Sequence, residues 1–309
     1  QSRAARMTLL LQSFPARAKV WSEVFAAAGE PLFTQAPSGA EAKDVTALAC
    51  WQPPSDLTVY PNLKLVLSVG AGVDQMPALP QHIMLCRSAA PGIETQVRDW
   101  VTMACLMMHR DMPAYLQQAR TGAWNSRDTR ATTTRRVGVL GMGRIGRLVA
   151  QSLTALGFPV VGWSRSGRPV DGVEIYGAEA LSAVLAQADI LVCLLPLTQE
   201  TKGILNAKTF AALPKGAHLV HAGRGAHLHM DDLRDALDKG GLTSAMLDVT
   251  NPEPLAKDHW AWAHPQVIIT PHIAAQTDAY EGAHHALNVI QALKRGEIPP
   301  GLVDQTNGY

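Results

Sequence analysis

The chain alternates short apolar runs with segments in which apolar residues recur at helical spacing. Apolar runs at residues 8–11, 47–51 and 63–69 predict three strands. Residues 18–28 and 95–118 carry apolar side chains on one helical face, and each segment predicts a single helix. The first part of the chain therefore combines strands with helices.

From residue 137 onward the alternation becomes regular. The predicted strands are 137–140, 160–163, 190–194, 218–222, 244–249 and 267–270. The predicted helices are 145–156, 180–186, 231–239 and 278–295. Residues 190–194 are apolar throughout, which is typical of a parallel strand buried on both faces. The polar segment 121–136 predicts a loop before this series. Strands that alternate with helices indicate an α/β fold built on parallel sheets.

Length and composition limit the function classes. At roughly 150 residues per domain, 309 residues predict two domains. Twenty-seven Lys and Arg against 26 Asp and Glu leave a net charge of +1, which excludes a broad basic surface for nucleic acid. No apolar run approaches the length of a membrane span. Four widely spaced Cys predict a reduced, cytoplasmic protein. Residues 1–6 are interpreted as an upstream extension, with Met7 as the native start.

A glycine-rich motif follows the strand at 137–140. Gly141 would form the tight turn, Gly143 would let the backbone approach a pyrophosphate, and Gly146 would let helix and strand pack closely. The intervening residues are Met142, Arg144 and Ile145. The helix that follows offers free N–H groups and a partial positive charge to phosphates. This context predicts a dinucleotide site, although the same spacing also occurs in ordinary turns.

The end of the next strand indicates which dinucleotide is bound. An NAD site has an acid near this point to bond the ribose, whereas this chain has Trp163, Ser164, Arg165 and Ser166 and no acid before Asp171. Arg165 can pair with a 2′-phosphate through charge-assisted hydrogen bonds, and both serines add donors. The segment therefore favours NADP(H) over NAD(H), with an exposed Ser/Arg turn as the alternative.

Three downstream segments carry residue types suited to anion binding and proton transfer. These are His221-Ala222-Gly223-Arg224-Gly225, then Leu247-Asp248-Val249 with Glu253-Pro254-Leu255, and finally Thr270-Pro271-His272-Ile273. Arg224 offers a planar fork for a carboxylate, and His272 has a pKa suited to proton transfer. A nearby Glu253 would raise the pKa of that histidine. Taken singly, each could be structural: a surface ion pair, a histidine after proline, or a turn carboxylate.

Together these motifs resemble the D-isomer-specific 2-hydroxyacid dehydrogenase family over nearly the whole chain from Met7. The likeness is strongest to its glyoxylate/hydroxypyruvate reductase A branch. The residues that carry this second likeness are 51–54, 69–74, 163–165 and the ending from Val303 to Tyr309. The resemblance implies two Rossmann-like or flavodoxin-like domains. A dinucleotide domain, residues 96–274, would be inserted in a substrate domain formed by residues 1–95 plus 275–309.

The resemblance also implies the activity and the remaining site residues. The expected reaction is NADPH-dependent reduction of glyoxylate or hydroxypyruvate by a homodimer. Arg224 would anchor the carboxylate and His272, paired with Glu253, would donate the proton. Opposite Arg224, the substrate contacts would be Trp51, Gly70, Ala71 and Gly72. Further cofactor contacts would be Leu195, Pro196, Ala222, Gly223, Asp248, His272 and Ala274.

Several alternatives remain open at this point. Gly70–Gly72 could be a simple strand-to-helix turn, Asp248 a helix or turn cap, and Trp51 a core residue. The chain could also be a nucleotide-sensing binding protein, or a dehydrogenase for larger acids such as phenylpyruvate.

A histidine-rich stretch follows the strand at 218–222. His218, His221, His227 and His229 are close in sequence, but no Cys stands nearby in the chain and no third ligand is evident. We therefore predict no metal. His221 stands where the family usually has Asn, and it can still donate one hydrogen bond.

Overall fold

A computed structural model describes residues 7–73, 75–89 and 92–304. The chain divides into two compact units. Unit 1 joins the chain up to Ile93 with the chain from Gln276, and unit 2 runs from Glu94 to Ala275. The predicted extension 1–6, Asp74 and most of the ending from Val303 lie outside the described residues.

The secondary structure consists of twelve strands and eight α-helices within the described residues. The strands are β1 Leu9–Gln12, β2 Leu32–Phe33, β3 Ala47–Cys50, β4 Leu65–Ser68, β5 Met84–Cys86, β6 Val137–Leu140, β7 Val160–Trp163, β8 Glu174–Tyr176, β9 Ile190–Cys193, β10 Ala217–His221, β11 Leu242–Leu247 and β12 Val267–Ile269. The helices are α1 Pro15–Ala27, α2 Ile93–His109, α3 Met112–Thr121, α4 Arg144–Ala155, α5 Leu181–Leu185, α6 Ala207–Ala211, α7 Met230–Asp238 and α8 Ala279–Lys294.

Unit 1 is a five-stranded parallel sheet in the order β2-β1-β3-β4-β5, which is the flavodoxin-like order. α1 and α8 pack together on one face. α1 begins at Pro15, whose fixed φ and missing N–H suit a first helical turn. α8 is capped by the Asp278 carboxylate, which accepts from the N–H groups of Tyr280 and Glu281. Its small buried residues let it approach Trp21 of α1 closely.

Unit 2 is a seven-stranded parallel sheet in the order β12-β11-β10-β9-β6-β7-β8. The strand sequence runs outward from β6 to β8, then reverses and runs from β9 to β12, which is the Rossmann arrangement. Every residue of β6 and β9 is buried, as their apolar sequences predict. Ligands of such sheets bind at the carboxyl ends where the order reverses, here between β6 and β9. The predicted α/β class with two parallel-sheet domains is confirmed.

The prediction of a single helix over residues 95–118 is wrong. The structure has α2 and α3 with a break at Asp111, which adopts the left-handed conformation with φ of 53°. Pro113 then stands in the first turn of α3, where its ring is tolerated. The strands β2, β5 and β8 were not predicted, because two or three residues are too few to show a period. The five-residue helix α6 was also not predicted.

The helices of the described residues include none that combines the length and apolar character needed to cross a bilayer.

Candidate active site

A glycine-rich turn joins β6 to α4 at the carboxyl edge of the unit 2 sheet. Gly141 has a φ of 103°, and a Cβ there would lie 2.8 Å from the carbonyl oxygen of Leu194. A Cβ on Gly146 would collide with the carbonyl oxygen of Gly141, whereas one on Gly143 would meet nothing within 4 Å. The turn is therefore tight on its inner side and open on its outer side, as a pyrophosphate cradle requires.

A cavity adjoins this turn. Its volume is about 630 Å³, and its lining is Met142, Gly143, Arg144, Arg147, Ser166, Arg168 and Pro169. Three of these seven residues are arginines and none is acidic, so the cavity favours an anion. Nε of Arg147 donates to the Met142 carbonyl at 3.2 Å, and Arg144 forms an ion pair with Glu94 at 2.9 Å. The charge of its lining therefore suits the cavity to a phosphate.

Arg147 and Arg168 were not among the predicted cofactor residues. A signal for both was present in the sequence. Arg147 lies three residues after Arg144 and so shares its side of α4, and Arg168 lies two residues after Ser166. The glycine motif predicts the phosphate turn, and the first arginine after β7 predicts a 2′-phosphate contact. Neither pattern predicts how far the cavity extends.

The predicted cofactor residues directly after β7 form part of a folded turn. The indole Nε1 of Trp163 donates to the carbonyl of Ala178 at 3.2 Å. Oγ of Ser164 accepts from the N–H of Gly167 at 3.2 Å and closes the turn. Both side chains therefore shape the loop that carries Ser166 into the cavity wall.

Arg165 does not line the cavity. A hydrogen bond from Thr198 and, more weakly, the charge of Arg165 lower the pKa of the Glu200 carboxyl. This places the Arg165 guanidinium within electrostatic reach of the loop after β9. The cavity thus brings together Arg144, Ser166 and the two arginines that were not predicted. Arg165 lies outside this lining, next to Ser166 in the chain.

Four further predicted cofactor contacts lie along the same edge of the sheet. Leu195 and Pro196 follow β9, and Ala222 and Gly223 follow β10. β9 lies next to β6, and β10 lies next to β9, on the side where the strand order has reversed. The residues therefore stand on the far side of the switch point from the arginine-lined cavity.

His272 and Glu253 form a hydrogen-bonded pair. Nδ1 of His272 lies 2.8 Å from Oε2 of Glu253, although the two residues come from separate loops after β12 and β11. Their side chains are 33% and 36% exposed, so the pair is accessible to a ligand. Arg224 follows β10, the next strand along the sheet.

The charges of these three residues act on one another. The hydrogen bond to Glu253 raises the pKa of His272 and outweighs the opposing effects of burial and of Arg224. Burial alone would raise the pKa of Glu253, but hydrogen bonds from His272 and from the Thr250 N–H, with the charge of Arg224, lower it. Both shifts favour an imidazolium bound to a carboxylate, and an imidazolium can donate a proton.

Asp248 anchors the turn that carries His272. The carboxylate is 2% exposed, and its Oδ1 accepts from Oγ1 of Thr270 at 2.6 Å and from the N–H of Ile273 at 2.8 Å. Its Oδ2 accepts from the N–H of Ala274 at 2.8 Å. His272 itself has a φ of 54°, which is strained for a residue with a side chain. The bonds to Asp248 hold that conformation. This is the turn-cap alternative, and the nicotinamide contact stays a prediction.

The predicted substrate residues of unit 1 lie at the carboxyl ends of β3 and β4. Trp51 is 45% exposed, so the core alternative for this residue is wrong. A Cβ on Gly70 would lie 2.8 Å from the Trp51 ring. The observed position of the ring therefore requires glycine at residue 70. Oγ of Ser68 donates to the carbonyl of Gly72 at 2.8 Å and shapes the loop around Ala71. Binding of a carboxylate by this loop stays a prediction.

One cluster of metal-ligand residue types occurs within the described residues. It consists of Cys193, His221 and His227, all buried, with one ligand atom of each within 4.8 Å of the others. The expectation that no Cys accompanies these histidines is wrong, because parallel pairing of β9 with β10 places Cys193 in register with His221. His218 and His229 do not belong to the cluster.

Comparison with known proteins connects this geometry to a family. A sequence model described as "D-isomer specific 2-hydroxyacid dehydrogenase, NAD binding domain" matches residues 102–274. The chain is 40% identical over 269 residues to glyoxylate/hydroxypyruvate reductase A of Serratia proteamaculans, covering 84% of this chain and 86% of that protein.

Solved structures agree over the full length. A D-isomer-specific 2-hydroxyacid dehydrogenase from Xanthobacter autotrophicus, in complex with NADPH and MES, is 33% identical with a TM-score of 0.89, covering 99% of this chain and 100% of that one. An NADPH-dependent glyoxylate/hydroxypyruvate reductase from Sinorhizobium meliloti, in complex with NADP and sulfate, is 34% identical with a TM-score of 0.87, covering 98% and 100%.

Proposed function

Because the chain belongs to the D-isomer-specific 2-hydroxyacid dehydrogenase family, we propose that it reduces small 2-keto acids with NADPH. The proposed substrates are glyoxylate, which gives glycolate, and hydroxypyruvate, which gives glycerate. The observation that carries the proposal is the 2.8 Å pair of His272 and Glu253, with the charge of Arg224 acting on both. Relatives named as glyoxylate/hydroxypyruvate reductases support the choice of substrates.

Arg224 is proposed to bind the carboxylate of the keto acid. A guanidinium presents two parallel N–H groups whose spacing matches the two carboxylate oxygens. Nη1 of Arg224 donates to the carbonyl of Gly223 at 2.8 Å, and this contact limits the directions in which the guanidinium can point. Bidentate binding would fix the orientation of the adjacent ketone and increase the polarisation of its C=O bond.

His272 is proposed to donate the proton. As the carbonyl carbon is reduced, negative charge develops on its oxygen, and an imidazolium within hydrogen-bond reach stabilises that charge and transfers its proton. Glu253 keeps the imidazole protonated beforehand and holds Nδ1, so that Nε2 delivers the proton. In the oxidative direction the neutral imidazole acts as the base.

The described residues fit a phosphorylated dinucleotide. The turn has no room for a side chain at Gly146 and is open at Gly143, so its backbone forms a cradle for phosphate. The arginine-lined cavity lies beside this cradle. NADPH bound there would supply the hydride. The chain's own residues bind the phosphates, and the absence of an acid directly after β7 leaves the cavity without repulsion toward a 2′-phosphate.

Charge reversal in this region is expected to separate NADPH from NADH. Arg168→Asp should raise the Kd of NADPH by about 10- to 100-fold, because each charge-assisted hydrogen bond contributes about 1.5–3 kcal/mol. Arg165→Asp should act in the same direction. The Kd of NADH should remain within about twofold of wild type in both variants, as measured by nicotinamide fluorescence. Arg110→Asp, an exposed arginine before α3, is the control for the charge change. Equal weakening of both nucleotides would contradict the assignment.

The substrate class is tested by following NADPH absorbance with glyoxylate, hydroxypyruvate, pyruvate and phenylpyruvate. The highest kcat/KM is expected with glyoxylate or hydroxypyruvate, whose order is left open because one methylene is worth only about 1–3 kcal/mol. A clear preference for phenylpyruvate would indicate a dehydrogenase for larger acids. Tight NADPH binding without turnover of any of the four would indicate a nucleotide-sensing protein.

The assembly and the compartment also stay predictions. We propose a homodimer, which the family resemblance implies, and sedimentation of the purified chain tests it. A cytoplasmic location is proposed from the four cysteines, all of which are free and buried.

A further inference from the structure

Two buried histidines form hydrogen bonds with the two backbone polar groups of Arg224. Nδ1 of His227 accepts the N–H of Arg224 at 3.0 Å. Nε2 of His221 lies 2.9 Å from the carbonyl oxygen of Arg224. Both histidines have no exposed surface. Both polar groups of the Arg224 peptide backbone are therefore held by side chains that come from β10 and from the turn after it.

The bonding pattern determines the tautomer of each ring. A carbonyl oxygen can only accept, so Nε2 of His221 carries the proton and donates it to Arg224. Nδ1 of His227 accepts from an N–H, so its proton is on Nε2, which lies 3.2 Å from the carbonyl oxygen of Pro196. Burial, helped by the neighbouring ring of His227, lowers the pKa of His221 to about 3. His221 therefore stays neutral at working pH and keeps its donor.

The residues on either side of Arg224 leave the chain little room to move. A Cβ on Gly225 would collide with the carbonyl oxygen of Thr250, and one on Gly223 would lie 3.0 Å from Nδ1 of His227. The peptide backbone at Arg224 is thus confined by its neighbours as well as by the two histidines. What remains adjustable is the arginine side chain itself.

The cluster of Cys193, His221 and His227 is better explained by the hydrogen bonds to Arg224 than by a metal ion. Burial raises the pKa of the Cys193 thiol to about 12, whereas metal binding requires the thiolate. Both ring nitrogens of His227 and Nε2 of His221 already take part in hydrogen bonds. A metal ion would break at least one of the bonds that hold Arg224.

We propose that His221 and His227 are positioning residues for substrate binding, which act by fixing the backbone from which the Arg224 guanidinium projects. The proposal rests on the proposed role of Arg224 as the carboxylate anchor. An anchor that shifts by about 1 Å can cost about 100-fold in rate, so the two hydrogen bonds at its backbone act on the reaction through the position of Arg224. The pair places no atom of its own on the substrate.

The test compares variants that keep or remove each bond. His221→Phe and His227→Phe keep an aromatic ring, somewhat larger than imidazole, and remove the nitrogens, and each should raise the KM for glyoxylate by about 10- to 100-fold. The Kd of NADPH should stay within about twofold. His221→Gln keeps a donor at the Nε2 position, and His227→Asn keeps an acceptor at the Nδ1 position. Both should restore the KM to within about threefold of wild type.

His218 offers a matched control on the same strand. It is also buried, and it lies at the opposite end of β10 from His221. Its Nδ1 lies 2.8 Å from Oγ of Ser244 on β11. His218→Phe should lower the melting temperature without changing the KM for glyoxylate. If it raises that KM as much as His221→Phe does, the effect is a general consequence of disturbing β10, and the proposal fails.

A double-mutant comparison separates this proposal from the role of Arg224. In an Arg224→Ala background, His227→Phe should cause no further loss of kcat/KM for glyoxylate, because its effect passes through the missing side chain. Additive losses would overturn the proposal. An Arg224→Ala variant with an unchanged KM would instead refute the carboxylate anchor.

If the Phe variants do not fold, His227→Asn and His227→Gln give the same comparison, since only Asn retains an acceptor at the Nδ1 position. Equal KM values for glyoxylate in these two variants would count against the proposal.

Discussion

Replacing His272 by Ala is expected to lower kcat for glyoxylate reduction by about 10²- to 10⁴-fold, which is the range for loss of a general acid. Nδ1 of His272 lies 2.8 Å from the Glu253 carboxylate, and this hydrogen bond raises the pKa of His272. The KM for glyoxylate should change little if Arg224 supplies the main binding contact. Steady-state kinetics with saturating NADPH measure both constants. A kcat within threefold of wild type would show that the proton comes from elsewhere.

Glu253→Gln is the companion variant for the same prediction. The amide keeps an oxygen that can accept from Nδ1 of His272 but removes the negative charge. Glu253 raises the pKa of His272, so wild-type reduction should be lost as pH rises through that raised pKa. In the variant the loss should begin at a lower pH. Oxidation of glycolate, which needs the neutral imidazole, should show the opposite dependence. An unchanged pH profile would contradict the pairing.

The second large effect is expected at Arg224. Arg224→Ala should lower kcat/KM for glyoxylate by roughly 30- to 5,000-fold, because removing one partner of a hydrogen-bonded charge pair costs about 2–5 kcal/mol. Arg224→Lys should recover only part of this loss, since an ammonium group cannot form the bidentate contact. The Kd of NADPH should be unaffected.

A substrate without a carboxylate tests the reason for that loss. With methylglyoxal, in which no carboxylate flanks the reacting carbonyl, the wild-type enzyme and Arg224→Ala should have similar, low kcat/KM values. A large difference between them with methylglyoxal would mean that Arg224 acts on the carbonyl oxygen alone.

The sequence predicted the strands of unit 2 well because most of them are buried on both faces. The predicted bounds of β6 and β7 are those observed, and β9 differs at one end only. Elements at the sheet edges, such as β2 and β8, have two or three residues and leave no apolar run to recognise. The break between α2 and α3 depends on one left-handed residue, Asp111, which apolar spacing does not reveal.

The chemistry assigned to the candidate site stays a prediction, and some of the residues around it were not predicted. Arg224, Glu253 and His272 were chosen through the family resemblance, and the structure pairs His272 with Glu253 as the sequence predicts. The position of Cys193 beside His221 depends on the pairing register of two parallel strands, which their alternation alone does not specify. The contribution of Arg147 and Arg168 to the cavity depends on a loop shape that only the folded chain shows.

The four cysteines have a practical consequence. All are buried, and burial raises the pKa of the thiols, to about 12 at Cys50, Cys86 and Cys193. A maleimide or a fluorophore iodoacetamide reacts with exposed thiolates, so the native chain offers these reagents very little. A cysteine introduced on the surface would therefore carry nearly all of the label. Distances between spectroscopic probes placed on unit 1 and unit 2 could be measured without first removing the native thiols.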